Sequence, residues 1–226
     1  MNKQIRLWDL PLRLFHWLLV VAVVVAMLSG INGRMDIHLQ SGLAIVALLA
    51  FRLAWLFVGS TYARVGALWQ AVVRMPEYLR GNWRRPGHNP LGVLSLVAML
   101  LMLGWQAVTG LFTNDDSYFT GPLYRLIDKD FSLWLTGLHR NGLWLIVALV
   151  VLHVGSIIFY HVVKKKNLLK PMITGKTEQL NEEYQPATGG RWVAFVFSCL
   201  VAAAAFYVAQ GSWVPKPPPP QPVFMF

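Results

Sequence analysis

Residues 139–163, HRNGLWLIVALVVLHVGSIIFYHVV, form an apolar run with a histidine at its start and a second one, His153, 14 residues further on. At ~1.5 Å rise per residue the two imidazoles stand ~21 Å apart along a helix. Fourteen residues make roughly 3.9 turns, so both leave nearly the same face. The hydrocarbon core of a bilayer is ~30 Å thick. A helix crossing it would hold one histidine towards each membrane face, both aimed into a bundle. Ionisable side chains inside membrane helices are costly and usually functional. Two on one stripe predict two stacked sites, and imidazole is the commonest metal-binding side chain.

Four further runs are long enough to span. They are 14–28, 39–58 (opening at His38 and interrupted by Arg52), 91–112 and 192–209. Asn89 and Pro90 read as N-cap and first helical residue of the third run. Lys3, Arg6 and Arg13 before the first run resemble the basic region of a signal peptide, but Phe15, His16 and Trp17 within it favour a retained helix. With 56% hydrophobic residues and a mean hydropathy of +0.49, the expected fold is an all-α membrane protein. A four-helix transmembrane bundle (about 11–30, 38–58, 91–112 and 138–163) makes up residues 1–176. Residues 177–226 add a linker, a fifth transmembrane helix at about 191–210 and a proline-rich tail. The tail KPPPPQP (216–222) reads as a polyproline II spacer. The single Cys199 excludes an intrachain disulfide, a thiolate-rich metal site and a C-x-x-C-H attachment.

Charge placement sets the topology. Segments 1–13, 59–90 and 164–191 hold 14 Lys and Arg, against 4 in segments 31–37, 113–138 and 210–226. The positive-inside rule then predicts a cytoplasmic N-terminus and a C-terminal tail on the outer side. The net charge of +10 is thus a topology signal rather than a nucleic-acid signal. Segment 64–80, RVGALWQAVVRMPEYLR, reads as a basic amphipathic helix on the inner surface, with Val65, Leu68, Trp69 and Val72 towards lipid.

Depth sorts the histidines. His38 and His139 open helices of the same direction near the outer face, and His153 lies ~21 Å deeper. The first helix runs the other way. Counting back 14 residues from Gly30 reaches His16, near the depth of His153. Two pairs result, His16 with His153 (inner) and His38 with His139 (outer). A haem iron clamped between two histidines from different helices is a bundle-core site suited to electron transfer. A zinc or copper path would want carboxylate or sulfur partners, and no Asp or Glu lies inside helices one to four. His161 reads as interfacial, and His88 as solvated or in a quinone or proton role. Arg52 reaches the depth of the inner pair. Either it grips a haem propionate or it snorkels to the inner headgroups; no helix-borne Asp or Glu offers it a partner. Arg13 and Arg140 are further cofactor-binding candidates. The outer loop 113–138 combines Asp115, Asp116, Asp128 and Asp130 with Tyr118, Phe119 and Tyr124. It reads either as a docking surface steering a basic partner or as a loop with aromatic headgroup anchors.

Several segments together, RLWDLPLRLFHW (6–17), FRLAWLFVGSTYAR (51–64), GHNPLG (87–92), TGLFTNDD (109–116), LHRNGLW (138–144) and LHVGSIIFYH (152–161), resemble the bacterial cytochrome b561 and nickel–iron-hydrogenase b-type cytochrome subunit family. The resemblance covers roughly residues 5 to 176. It implies a four-helix core with two non-covalent b haems, passing electrons in respiratory transport between the quinone pool and a periplasmic redox protein. That partner would be a c-type cytochrome or a hydrogenase-like protein. The family's ligand positions carry over to His16, His38, His139 and His153. The fifth helix and the tail depart from the pattern. Two alternatives stay open: a superoxide or quinol oxidoreductase acting on its own, and a non-redox haem- or metal-binding membrane anchor.

Overall fold

The structure, a computed structural model, describes residues 4–178 and 185–215; the proline-rich segment 216–222 lies outside them. Among the described residues, five helices are long and apolar enough to cross a membrane: α1 (Leu10–Ile31), α2 (Met35–Val58), α5 (Pro90–Leu111), α6 (Lys129–Val162) and α8 (Trp192–Ala209). Their lengths of 18 to 34 residues correspond to ~27–51 Å of helix, so the shortest comes close to the ~30 Å of a hydrocarbon core and α6 projects beyond it.

Local chemistry sets the helix starts. The Asp9 carboxylate accepts from Leu12 N–H at 2.7 Å and caps α1, with a proline in the first turn. Asn89 accepts from Gly92 N–H at 2.7 Å ahead of Pro90 and caps α5. Asp128 accepts from Phe131 N–H at 2.9 Å and starts α6 at Lys129. The start of α6 therefore falls ten residues before His139, whereas the apolar run alone placed it at 138. The added turns carry Ser132 and Thr136, which bond back to the preceding loop at Phe112 and Asn114. Helix α2 likewise begins at Met35, so only Asn32, Gly33 and Arg34 join it to α1.

Two helix pairs organise the bundle. Helix α1 packs along α2, and α5 packs along α6, with a lighter α2–α5 contact joining them. Helix α6 makes few close backbone approaches to α1 or α2 among the described residues, which leaves a slot between the pairs. Ala26, Ile45, Leu49, Leu103 and Ile146 close the middle of the bundle. Helix α8 packs extensively on α2.

Most of the described Lys and Arg fall in segments 4–13, 59–90, 164–178 and 185–191, whose short elements meet in a cap at one end, called here the basic end. Strand β1 (Gln4–Arg6) pairs antiparallel with β2 (Lys176–Glu178). Helix α7 (Leu169–Thr174) closes on α1 through Trp17 Nε1 to the Met172 carbonyl at 3.3 Å and through Arg13 Nη1 to the Ile173 carbonyl. Segment 185–190 is tied down by Tyr62 to the Gln185 carbonyl and by a Ser60–Gly189 bridge.

The surface helix divides into α3 (Val65–Val73) and α4 (Met75–Leu79). Leu68 is buried with Ala71 against Val93 of α5, and Val72 is partly buried there. Both face protein, not lipid as their spacing suggested. The exposed stripe is Val65, Trp69 and Val73, because α3 turns its Leu68 side onto α5.

Candidate haem sites

The slot between the helix pairs holds four imidazoles, gathered in twos. His16 of α1 faces His153 of α6 with ring centroids 6.5 Å apart. His38 of α2 faces His139 of α6 at 5.9 Å. An imidazole nitrogen lies ~2 Å from a bound metal, so two rings sharing one metal on opposite sides have centroids ~6 Å apart. Both separations match that span. Along α6 the pairs stand ~21 Å apart.

The pair away from the basic end is fixed from behind. His38 Nδ1 lies 2.8 Å from the Ala26 carbonyl, and His139 Nδ1 lies 2.9 Å from the Gln106 carbonyl. A carbonyl oxygen only accepts, so each Nδ1 carries the proton and each Nε2 keeps its lone pair for a metal. Gln106 Nε2 also donates to the His139 carbonyl at 2.7 Å. Two glycines admit the rings. A Cβ on Gly30 would sit 2.9 Å from His38 Nδ1, and one on Gly110 would sit 2.8 Å from His139 Cε1.

The pair at the basic end has unpaired donors around it. Arg52 is 1% exposed, so it does not snorkel to headgroups. Its Nη1 donates to the Ala63 carbonyl at 3.2 Å, while Nη2 is shielded and has no partner among the described residues. The same holds for Arg13 Nε, His16 Nδ1 and His88 Nδ1. Arg52 does have a carboxylate within electrostatic reach, Asp9, which the sequence reading overlooked because Asp9 precedes its helix. Asp9 itself is committed elsewhere, accepting from Leu12 N–H, Trp55 Nε1 at 3.1 Å and the Ser60 hydroxyl.

His88 sits between α4 and α5, its ring 4.8 Å from that of Trp8. Burial pushes its pKa down to about 4, and the charges of Arg52, His153 and His16 add to the effect. The residue is half-buried with its Nδ1 shielded, so it lies beside the basic-end pair and is not the solvated residue its position before α5 suggested. His161 is exposed in the last turn of α6, and Arg140 is exposed beside His139 with its charge felt at Asp115.

The donor set discriminates among cofactors. No three His, Cys, Asp or Glu side chains gather to hold a bare metal ion among the described residues. Each site offers two imidazoles, which are the axial ligands a porphyrin iron still needs. The unpaired guanidinium and imidazole nitrogens at the basic end suit the carboxylates of such a group. The residues present therefore fit haem.

The outer-loop residues are more structural than their composition suggested. Asp115 accepts from the N–H groups of Ser117, Tyr118 and Phe119. Led by the bond from Phe119, these hold its pKa below the usual carboxylate value. Asp116 pairs with Lys129 at 2.6 Å, and Asp128 caps α6. Tyr118 stands fully exposed at the turn.

The family model described as Prokaryotic cytochrome b561 matches residues 7–175. The Probable Ni/Fe-hydrogenase 1 B-type cytochrome subunit of Escherichia coli (strain K12) is 25% identical over 210 residues, covering 74% of this chain and 88% of that protein. The Probable Ni/Fe-hydrogenase B-type cytochrome subunit of Rhizobium leguminosarum bv. viciae is 22% identical, covering 77% and 89%. That of Cupriavidus necator is 26% identical, covering 76% and 86%. No solved structure gives a significant match.

Proposed function

The chain belongs to the prokaryotic cytochrome b561 family, and from that premise we propose that it is a transmembrane electron-transfer subunit with two b haems. His16 and His153 would hold the inner haem, at the basic end. His38 and His139 would hold the outer one. Bound there, haem supplies a one-electron couple at each of two depths, which an electron path across a bilayer requires.

The chain's own part is to bind, orient and shield. The Ala26 and Gln106 carbonyls orient the outer imidazoles. Arg52, with Nη2 unpaired among the described residues, would grip an inner-haem propionate, with Arg13 as a second cation at that end; Arg140, exposed next to His139, would serve the outer site. The cap of β1, β2 and α7 covers the inner end. The basic end faces the cytoplasm of a bacterial inner membrane by the positive-inside rule. The redox partners are the quinone pool and a periplasmic protein. The relatives' names favour a hydrogenase-like partner, and a c-type cytochrome is the other candidate. The domain division follows the same line, with residues 1–176 as the haem-binding unit and residues from 177 onward, α8 included, as the addition.

The observation that carries the reading is the pair of imidazole separations, 6.5 and 5.9 Å, in a slot between helices. Haem quantitation on purified protein tests it. Two b haems per chain, reducible by quinol, support it; one or none refutes it.

A further inference from the structure

The shielded nitrogens at the inner end form a set that the histidine ligands do not explain. Arg52 Nη2 and His88 Nδ1 both lack a partner among the described residues. A buried hydrogen-bonding group left unsatisfied is destabilising, the more so when it is charged. Two such groups within electrostatic reach of one another mark a place that something else completes. His88 also lies within electrostatic reach of His16 and His153. The side chains that could have met the two nitrogens are occupied. Asp9 is held by Leu12, Trp55 and Ser60. Asn89 is spent on Gly92 N–H and on the Tyr160 hydroxyl.

His88 is also held in place. Its ring lies against Trp8, which is 7% exposed and packed in the core cluster of Leu12, Phe15 and Trp55. Its neighbour Asn89 caps α5. With Trp8 against the ring and the adjacent backbone held by the Asn89 cap, Nδ1 is presented in a set direction. The chemistry that satisfies a guanidinium N–H and an imidazole N–H together is a carboxylate, which accepts through two oxygens.

We propose that His88 is a second propionate anchor of the inner haem, donating through Nδ1–H to the carboxylate that Arg52 grips. This rests on the di-haem reading above and adds a residue to it. His88 is a positioning and charge-balancing residue, not an iron ligand. A donor to a propionate offsets its negative charge and so favours the reduced haem.

Redox titration of the purified holoprotein, resolving both haems, tests the assignment in three variants. His88→Phe removes the donor and keeps a ring against Trp8. Its expected result is two haems per chain, a lowered inner midpoint and an unmoved outer one. His88→Asn places an amide N–H near the position of Nδ1 and should bring the inner midpoint back towards wild type. His88→Gln places its amide near Nε2 and should stay low. Infrared difference spectra should show the propionate carboxylate bands shifted in the Phe variant and restored in the Asn variant. If His88→Phe does not assemble, the Asn–Gln contrast decides, and identical inner midpoints in those two overturn the proposal. An inner midpoint at the wild-type value in His88→Phe with two haems bound overturns it alone. Slowed quinol reduction with that midpoint unmoved does the same and moves His88 to a quinone site. Wild-type protein with haem only at the His38–His139 pair would overturn the di-haem reading, and this proposal with it.

Discussion

Gln106 and His139 hold each other twice. The Gln106 carbonyl accepts from His139 Nδ1–H at 2.9 Å, and Gln106 Nε2 donates to the His139 carbonyl at 2.7 Å. One bond sets the tautomer of the imidazole and the other ties its backbone to α5. Partners of this kind fix ring orientation in metal sites, and losing them typically weakens binding 10–100-fold.

Gly110 shares that support. Gly110→Ala would set a Cβ 2.8 Å from His139 Cε1, and the ring must turn away from its acceptor. The expected result is loss of the outer haem, seen as haem content near half of wild type. Gly104→Ala meets no atom within 4 Å and should keep full content. Equal haem in the two variants would argue against the cradle.

Arg52→Leu should lower the midpoint of the inner haem and leave the outer one alone, since a positive charge favouring the reduced form is lost. The variant avoids an unpaired guanidinium, so folding should survive. A redox titration with both midpoints at wild-type values rejects a propionate role for Arg52.

Asp9→Asn tests the base of the inner site. Asp9 is 4% exposed and accepts from Trp55, Ser60 and Leu12 N–H. An amide turns one acceptor oxygen into a donor facing other donors. Hydrogen bonds to charged groups contribute ~1.5–3 kcal/mol, and a loss of about that size is expected. It should appear as inner-haem absorbance lost at lower temperature than in wild type. Identical melting would show that the network is dispensable.

The outer acids separate into two kinds. Asp115→Asn keeps one acceptor oxygen for its turn but loses a charge, and Asp115→Ala loses the turn that holds Tyr118 out. Asp130→Asn, in the first turn of α6, loses charge alone. If acidic steering speeds docking, both Asn variants should slow electron exchange with the soluble partner at low salt and lose the effect beyond ~0.15 M, where screening acts within ~8 Å. If Tyr118 presentation matters instead, only Asp115→Ala slows.

The histidine partners were legible because helical rise converts sequence spacing into depth. His139 and His153 share one helix, and α1 and α2 are joined too tightly to be anything but antiparallel. The start of α6 was hidden because FSLWLTGL mixes Ser132 and Thr136 into its apolar residues, although the Asp128 cap was a readable signal. Leu68 was misassigned because amphipathic spacing tells which residues share a face, not what covers it. The reach of the Asp9 charge to Arg52, the Gln106 clamp and the setting of His88 bring together residues 30 to 80 positions apart, which no local pattern encodes. The docking of α8 on α2 was invisible for the same reason, since α8 is apolar on every side.

The most direct measurement is haem content and resolved spectra of His38→Ala beside His16→Ala. The account predicts one haem per chain in each, the first variant keeping the inner signal and the second the outer signal, with complementary midpoints. Two haems with unchanged spectra in either variant, or the same signal lost from both, would contradict it.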